Sequence, residues 1–175
     1  KAGSLDMYPR INSTQSAQIA DDEDLKIYEG GMNLIQALYL NNAQEPFDDV
    51  RVRQALCYAV NRQEVLDMTA DGKGTIIGSS MFPAFEKYYM PELADKYPQD
   101  IEKAKELLKE AGYPDGFEMT ITVPNNYQQH IDAAQVLAEQ LKQVGIKAEI
   151  QLVEWDSWLS DTYADRQFQS TVVGL

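Results

Sequence analysis

The sequence predicts an α/β fold, a mixed sheet flanked by helices, and two stretches predict it. Met119, Ile121 and Val123 alternate with polar residues, a stripe of Ile131, Ala134, Leu137, Leu141 and Val144 follows at helical spacing up to Gly145, and Ile146, Ala148, Ile150 and Leu152 alternate again. Strand, helix and strand in that order form a βαβ unit with parallel strands and a right-handed crossover. The second stretch is an amphipathic helix capped by Asp100, with Ile101, Ala104, Leu107, Leu108 and Ala111 on one face and Gly112 and Pro114 ending it. A chain of 175 residues has the length of one domain, with 44% hydrophobic and 25% charged residues, ordinary for a globular protein.

The remaining elements follow in order. Leu5 and Met7 around Asp6, closed off by Pro9, predict a short strand within Gly3 to Arg10. A short helix over Gln15 to Ile19 leads into Asp21-Asp22-Glu23-Asp24, a solvated turn rather than a calcium loop, because no glycine stands among the acids. Leu25 to Tyr28 and Leu34 to Leu40 are β-prone runs on either side of Gly30 and Gly31, a hairpin pattern. Asp49 caps a helix carrying Val52, Leu56, Ala59 and Val60, and Asn61 with Glu64 forms a capping box for a second, meeting the first at an angle and running to Ala70. Asp71-Gly72 ends it, and Lys73 to Pro98 reads as a long ordered excursion over the surface. Trp155 to Leu175 holds another short helix and a last strand, Thr171 to Leu175.

Composition excludes several functions. Fifteen Lys and Arg against 28 Asp and Glu give a charge of -13, which repels phosphate backbones and anionic membranes, so no nucleic acid partner is expected. No apolar run approaches the roughly 18 residues of a membrane span, and no secretory leader stands at the start. An export signal, if there is one, is expected upstream of Lys1, making the chain a piece of a longer protein. One cysteine rules out an internal disulfide and an all-cysteine metal site.

The residues that could do chemistry have simpler roles. His130, the one histidine, stands at the start of a predicted helix and suits a surface or capping position better than a catalytic one. Cys57 lies in an apolar run and reads as a small buried hydrophobe. Asp48 with Asp49 and Asp161 with Asp165 fit caps and solvated faces. Gly72-Lys73-Gly74-Thr75 lacks the earlier glycine and the leading strand of a phosphate loop. The expectation is no catalytic residue, no metal, no cofactor and no enzyme.

Leu38-Tyr39-Leu40-Asn41-Asn42, then Pro46-Phe47-Asp48-Asp49-Val50-Arg51-Val52-Arg53-Gln54-Ala55-Leu56 and Ala59-Val60-Asn61-Arg62, resemble the signature of the family 5 extracellular solute-binding proteins. Glu102 to Leu108 and Glu110-Ala111-Gly112-Tyr113-Pro114-Asp115-Gly116-Phe117 resemble the same family, as do Gly3-Ser4-Leu5-Asp6 and the segment around Gly145-Ile146. The recurring residues also have structural uses: Pro46 to Asp49 end a strand and cap a helix, Arg51 and Arg53 anchor carboxylates or carbonyls, and Gly112 to Gly116 turn a helix into a strand.

The resemblance implies that residues 1–175 form one lobe of a two-lobed, class II periplasmic-binding-protein-like fold, with both ends near the interlobe hinge and Lys1 close to Leu175. It implies the solute-binding component of an ABC importer, holding an oligopeptide, a dipeptide or a similar small solute against a partner lobe of the same chain and delivering it to permease subunits. The location implied is extracytoplasmic, in the periplasm or lipid-anchored on the outer face of the membrane. Trp155 matches a cleft-lining aromatic, with a core tryptophan as the alternative. Tyr39 matches a cleft-facing position, and its alternation with Leu38 and Leu40 shows that it points to the other face. Gly174-Leu175 stands where the family has Gly-Trp. Because the amino-group anchor of the peptide binders falls beyond Leu175, residues 1–175 alone are expected to bind peptides weakly or not at all. The competing readings are a small α/β hydrolase using Asp161 and Asp165, and a peptide-sensing receptor lobe.

Overall fold

The computed structural model describes residues 3–9 and 11–175, which fall into two units, Lys1–Met32 and Asn33–Leu175. The expectations for Lys1 and Arg10 lie outside the described residues.

In the first unit, helix α1 (Ser13–Ile19) opens with a complete capping box: Asn12 Oδ1 accepts from the Gln15 N–H at 2.8 Å and Gln15 Oε1 accepts from the Asn12 N–H at 3.0 Å. The acidic stretch is an exposed turn in which the Asp22 carboxylate accepts from the Asp24 N–H. Two expectations fail here. Residues 3–9 form no strand, and Leu5 and Met7 are exposed. Leu25 to Tyr28 are likewise not a strand, so the hairpin is absent; Tyr28 is 87% exposed. A strand needs a partner for its backbone groups, and the second run of the supposed hairpin takes its partner from the far end of the chain.

In the second unit the elements are β1 (Gln36–Leu40), α2 (Val50–Ala59), α3 (Arg62–Ala70), α4 (Ile101–Glu110), β2 (Glu118–Pro124), α5 (Gln128–Leu141), β3 (Lys147–Val153), α6 (Trp155–Ser157) and β4 (Ser170–Gly174). A π-helix, Trp158–Ala164, continues α6. The long surface excursion holds a single 3-10 turn, Pro91–Asp95, among its described residues. The sheet order is β1-β4-β2-β3, with β2 parallel to β3 and to β4, and β1 antiparallel to β4. The expected mixed α/β sheet and parallel βαβ unit are therefore observed.

One face of the sheet carries the core. Met119, Ile121, Val123 and Val172 pack with Val52, Ala55 and Leu56 of α2, Ala104 and Leu108 of α4, and Ala134 and Leu141 of α5. Cys57 corrects the sequence reading. The buried positions of α2 are Val52, Ala55, Leu56 and Ala59, and at 100° per residue Cys57 lies on the outer side, exposed. Enough protein still surrounds its sulfur for burial to push the thiol pKa up, opposed by the charge of Arg62. The capping box at Asn61 is also completed differently. Asn61 accepts from the Glu64 N–H, but the buried Gln140 of α5 supplies the reciprocal acceptor to the Asn61 N–H at 3.0 Å and donates to Glu64 Oε2 at 2.6 Å.

The arginines act as expected. Arg51 pairs with the cap residue Asp49 at 2.5 Å and donates to the Glu110 carbonyl, while Arg53 donates to the carbonyls of Phe47 and Asp48. Gly116 and Gly145 meet backbone to backbone where β2 and β3 begin: a Cβ on Gly116 would stand 2.1 Å from the Gly145 carbonyl oxygen, and Gly116 has φ +79°.

Gly116→Ala therefore combines a left-handed backbone cost of roughly 1–2 kcal/mol with overpacking of about 1–3 kcal/mol. Urea denaturation is expected to show a loss of about 3 kcal/mol. Hydrogen bonds from the Arg51 side chain and backbone hold the Asp49 carboxyl below its usual value. A carboxyl lowered in the folded state contributes stability above its unfolded pKa of about 4, and that contribution disappears as pH falls through the folded value. Asp49→Asn keeps a capping oxygen, so its deficit against the native protein in urea titrations should be present at pH 6 to 7 and shrink toward pH 3.

Candidate functional site

The seven rungs from Glu118↔Lys147 to Pro124↔Val153 bring the carboxyl ends of β2 and β3 side by side. The carboxyl end of the parallel strand β4 is Gly174, paired with Gln36 at the start of β1. In open α/β sheets, ligands bind outside the carboxyl ends of the strands, where side chains project from loops on a rigid scaffold. The residues following β2 and β3 here are Asn125, Tyr127, Glu154 and Trp155.

Asn125 ties the two strand ends together. Its N–H donates to the Val153 carbonyl at 2.9 Å and its side-chain amide donates to Glu154 Oε1 at 2.6 Å. Beside them stands a run of aromatic rings. Tyr127 meets Trp155 edge to face, 5.8 Å between centroids; Trp155 stacks on Trp158 at 5.3 Å with planes 9° apart; Trp158 stacks on Tyr163 at 5.9 Å. The π-helix explains the last contact, because its wider turn sets residues five apart above one another.

Trp158 is the core tryptophan, 2% exposed, and its indole N–H donates to Thr171 Oγ1 at 3.0 Å. That hydroxyl donates in turn to the Thr122 carbonyl at 2.7 Å. Trp155 is half-buried, with one face on Trp158.

Gly174 has a steric reason to lack a side chain: a Cβ would stand 2.5 Å from Leu34 Cδ2 and 3.1 Å from His130 Cε1. Leu175 exchanges two backbone hydrogen bonds with Ile35, and its side chain is exposed. Tyr39 is half-buried, pairs with Thr171, and has its phenol pKa pushed up by burial. Three residues of strand, about 10 Å, separate that rung from Gly174. The structure thus brings Trp155, Gly174 and Leu175 to one end of the sheet and sets Tyr39 further along it.

His130 corrects a second reading. It is buried, not at the surface, because the first turn of α5 lies against the end of β4, and its Nε2 accepts from the Gly174 N–H at 3.2 Å. Asp161 and Asp165 are exposed, and Asp161 accepts from the Ser160 hydroxyl. Among the described residues no group of three or more His, Cys, Asp or Glu side chains could hold a metal ion, and no helix is long and apolar enough to cross a membrane. Asn125, Tyr127, Glu154 as a side chain in its own right, and the Trp158–Thr171 pair were missed by the sequence reading; their one signal is position immediately after, or facing, a parallel strand.

The model of a family described as bacterial extracellular solute-binding proteins, family 5 Middle, matches residues 1–175. The glutathione-binding protein GsiB of Salmonella choleraesuis (strain SC-B67) is 37% identical over 138 residues, covering 78% of this chain and 26% of that protein. The chain thus spans about a quarter of the length of the curated relatives it matches. Among solved structures, the dipeptide binding protein from Pseudoalteromonas sp. SM9913 in complex with Met-Leu superposes with a TM-score of 0.80 at 27% identity, over 93% of this chain and 32% of that one. The periplasmic binding protein AgaA from A. tumefaciens R10, in complex with agropinic acid, gives 0.73 at 31% identity, over 81% and 28%. The fold is that of about one lobe of a class II periplasmic binding protein, and the hydrolase reading is not favoured.

Thr171→Val keeps the shape of the side chain but removes the acceptor of the buried Trp158 N–H. A loss of about 1–3 kcal/mol in thermal or urea melts is expected, with a change in tryptophan emission.

Proposed function

Since this chain belongs to the family 5 bacterial extracellular solute-binding proteins, we propose that it supplies one lobe of the binding component of an ABC importer. That component closes on an oligopeptide, a dipeptide or a similar small solute between this lobe and a partner lobe of the same protein, then presents the solute to permease subunits in the membrane. It works outside the cytoplasm, in the periplasm or held by a lipid anchor at the outer face of the membrane.

The observation that carries this reading is Trp155: a partly exposed aromatic backed by a buried, hydrogen-bonded tryptophan at the carboxyl end of the parallel strands. Rigid aromatic surface held on a scaffold is what a binding cleft uses to enclose a small solute at low entropic cost. The ligands named for similar proteins, glutathione and Met-Leu, are small peptides. Gly174 and Leu175 contribute to the rim of the same end, and Tyr39 faces the cleft further along the sheet.

Calorimetry with short peptides tests the proposal. The full-length protein should bind them, Trp155→Ala should weaken binding about tenfold or more, the equivalent of roughly 1.4 kcal/mol, and residues 1–175 alone should give no measurable heat. Tight binding by residues 1–175 alone, or turnover of the peptide, would overturn it.

A further inference from the structure

The N–H of Gly174, the last residue of β4, is taken by neither neighbouring strand. Ile35 and Leu175 exchange both of their backbone hydrogen bonds, so the next pair along, Gln36 with Gly174, is of the kind that exchanges none. The Gly174 N–H therefore points away from β1, to the side on which β2 runs. The pairing of β2 with β4 covers Ile121↔Ser170 and Thr122↔Thr171 and stops before Gly174. His130 takes the place of the strand: buried in the first turn of α5, its Nε2 accepts from the Gly174 N–H at 3.2 Å.

The ring is held from several directions. The bare Cα of Gly174 lets it close in, since a Cβ there would stand 3.1 Å from Cε1. The Tyr127 ring lies 5.4 Å away between centroids, and the Tyr127 carbonyl accepts from the His130 N–H at 3.0 Å. Gln36, opposite Gly174, donates its side-chain amide to the Gln129 carbonyl at 3.2 Å, a second tie between the start of α5 and the same rung.

An imidazole nitrogen accepts a hydrogen bond only while it is unprotonated, so the neutral ring carries its proton on Nδ1. Imidazoles take up a second proton around pH 6.5. Here that proton would turn Nε2 into a donor facing a donor and place a charge on a buried ring. β4 contributes no titratable side chain to the surroundings and β1 only Tyr39. Tyr127 brings its phenol, with Glu154 and Asp156 on either side of Trp155 beyond it. On α5, Asp132 accepts from the Gln128 amide and Glu139 pairs with Lys142. Glu118 of β2 pairs with Lys147 of β3 at the start of the ladder, Glu149 is exposed, and Glu64 of α3 accepts from Gln140 at the other end of α5.

We infer that His130 is a pH-sensitive positioning residue: neutral, it clasps the end of β4 and holds Gly174 and Leu175 in place, and protonated, it lets them go. The hold is present above the titration range of the ring and lost as pH falls through it. The inference rests on the solute-binding reading, under which Gly174 and Leu175 belong to the rim of the cleft, and adds a regulation to it: the solute is held less tightly in acid.

Two measurements on the full-length protein test this, with His130→Gln as the variant that offers an amide oxygen to the Gly174 N–H and does not titrate. In protein labelled with 15N-glycine, the Gly174 amide resonance should move with the titration of the His130 ring between about pH 8 and about pH 5 and stay in place in the variant. In calorimetry with trialanine, the native affinity relative to that of the variant should fall about three- to tenfold over the same range. Taking the ratio cancels the titration of the peptide, and a histidine that only packed would leave the ratio constant. If the Gly174 resonance ignores the His130 titration, or moves equally in the variant, the inference is wrong, and the native titration alone is enough to show the first of these. If the resonance moves but the affinity ratio is constant, the clasp does not govern binding and the inference is wrong while the solute-binding reading stands. If the native protein binds no trialanine at any pH, the peptide reading falls and the regulation inferred for it falls too.

Discussion

The close approach of two glycines governs most of what this chain can present. Gly116 and Gly145 touch backbone to backbone, and next to them the Lys147 N–H donates to the Phe117 carbonyl to start the parallel ladder. Strands that begin together and pair in register for seven rungs also end together, at Pro124 and Val153. Asn125 then reaches Glu154, and Tyr127 reaches Trp155. A slip of one residue would turn every side chain of one strand to the opposite face and separate these groups. The site is thus set by a constraint at the far end of the sheet, where any side chain at either glycine would force the backbones apart.

The two faces of the sheet divide the work. One packs α2, α4 and α5 over Ile121, Val123 and Val172 and supplies the apolar burial that makes the unit stable. On the other, the Thr171 hydroxyl accepts from the Trp158 indole and donates to the Thr122 backbone carbonyl. A buried threonine hydroxyl that both donates and accepts leaves no polar group unsatisfied, so the indole can sit flat and serve as a rigid backing for Trp155. The π-helix extends the stack to Tyr163 at a spacing an α-helix does not offer.

Local signals in the sequence foretold the local structure. Asp49, Asn61 and Asp100 cap helices as their residue types require, and the alternation of Met119 to Val123 with the stripe through Val144 identifies the βαβ unit. The failures were non-local. Leu34 to Leu40 looked like half of a hairpin because a neighbouring β-prone run was at hand, whereas β1 pairs with β4 from the other end of the chain. Gln140 replaces Glu64 in completing the cap at Asn61 through packing of α5 on α3, which no local pattern encodes. Cys57 and His130 were misplaced because burial depends on helix rotation against neighbours. Trp155, Gly174 and Leu175 were named through a resemblance to a family and stand at the carboxyl ends of the parallel strands; Asn125 and Tyr127, at the same end, went unnamed, since single positions after strands carry no periodicity.

The one histidine accepts a hydrogen bond from the Gly174 backbone, and the one cysteine, on the outer side of α2, has its thiolate disfavoured by the protein around its sulfur. What remains unspent is apolar surface. A tryptophan encloses roughly 150–250 Å² when fully buried, so covering the minor part of Trp155 that stays open is worth on the order of 1 kcal/mol at roughly 25 cal/mol per Å². That contribution exists only when something closes over the ring. Under the proposed function, a solute and a second lobe covering Trp155 would gain energy in a closed state that neither gains in an open one, which is the condition for a ligand to drive closure.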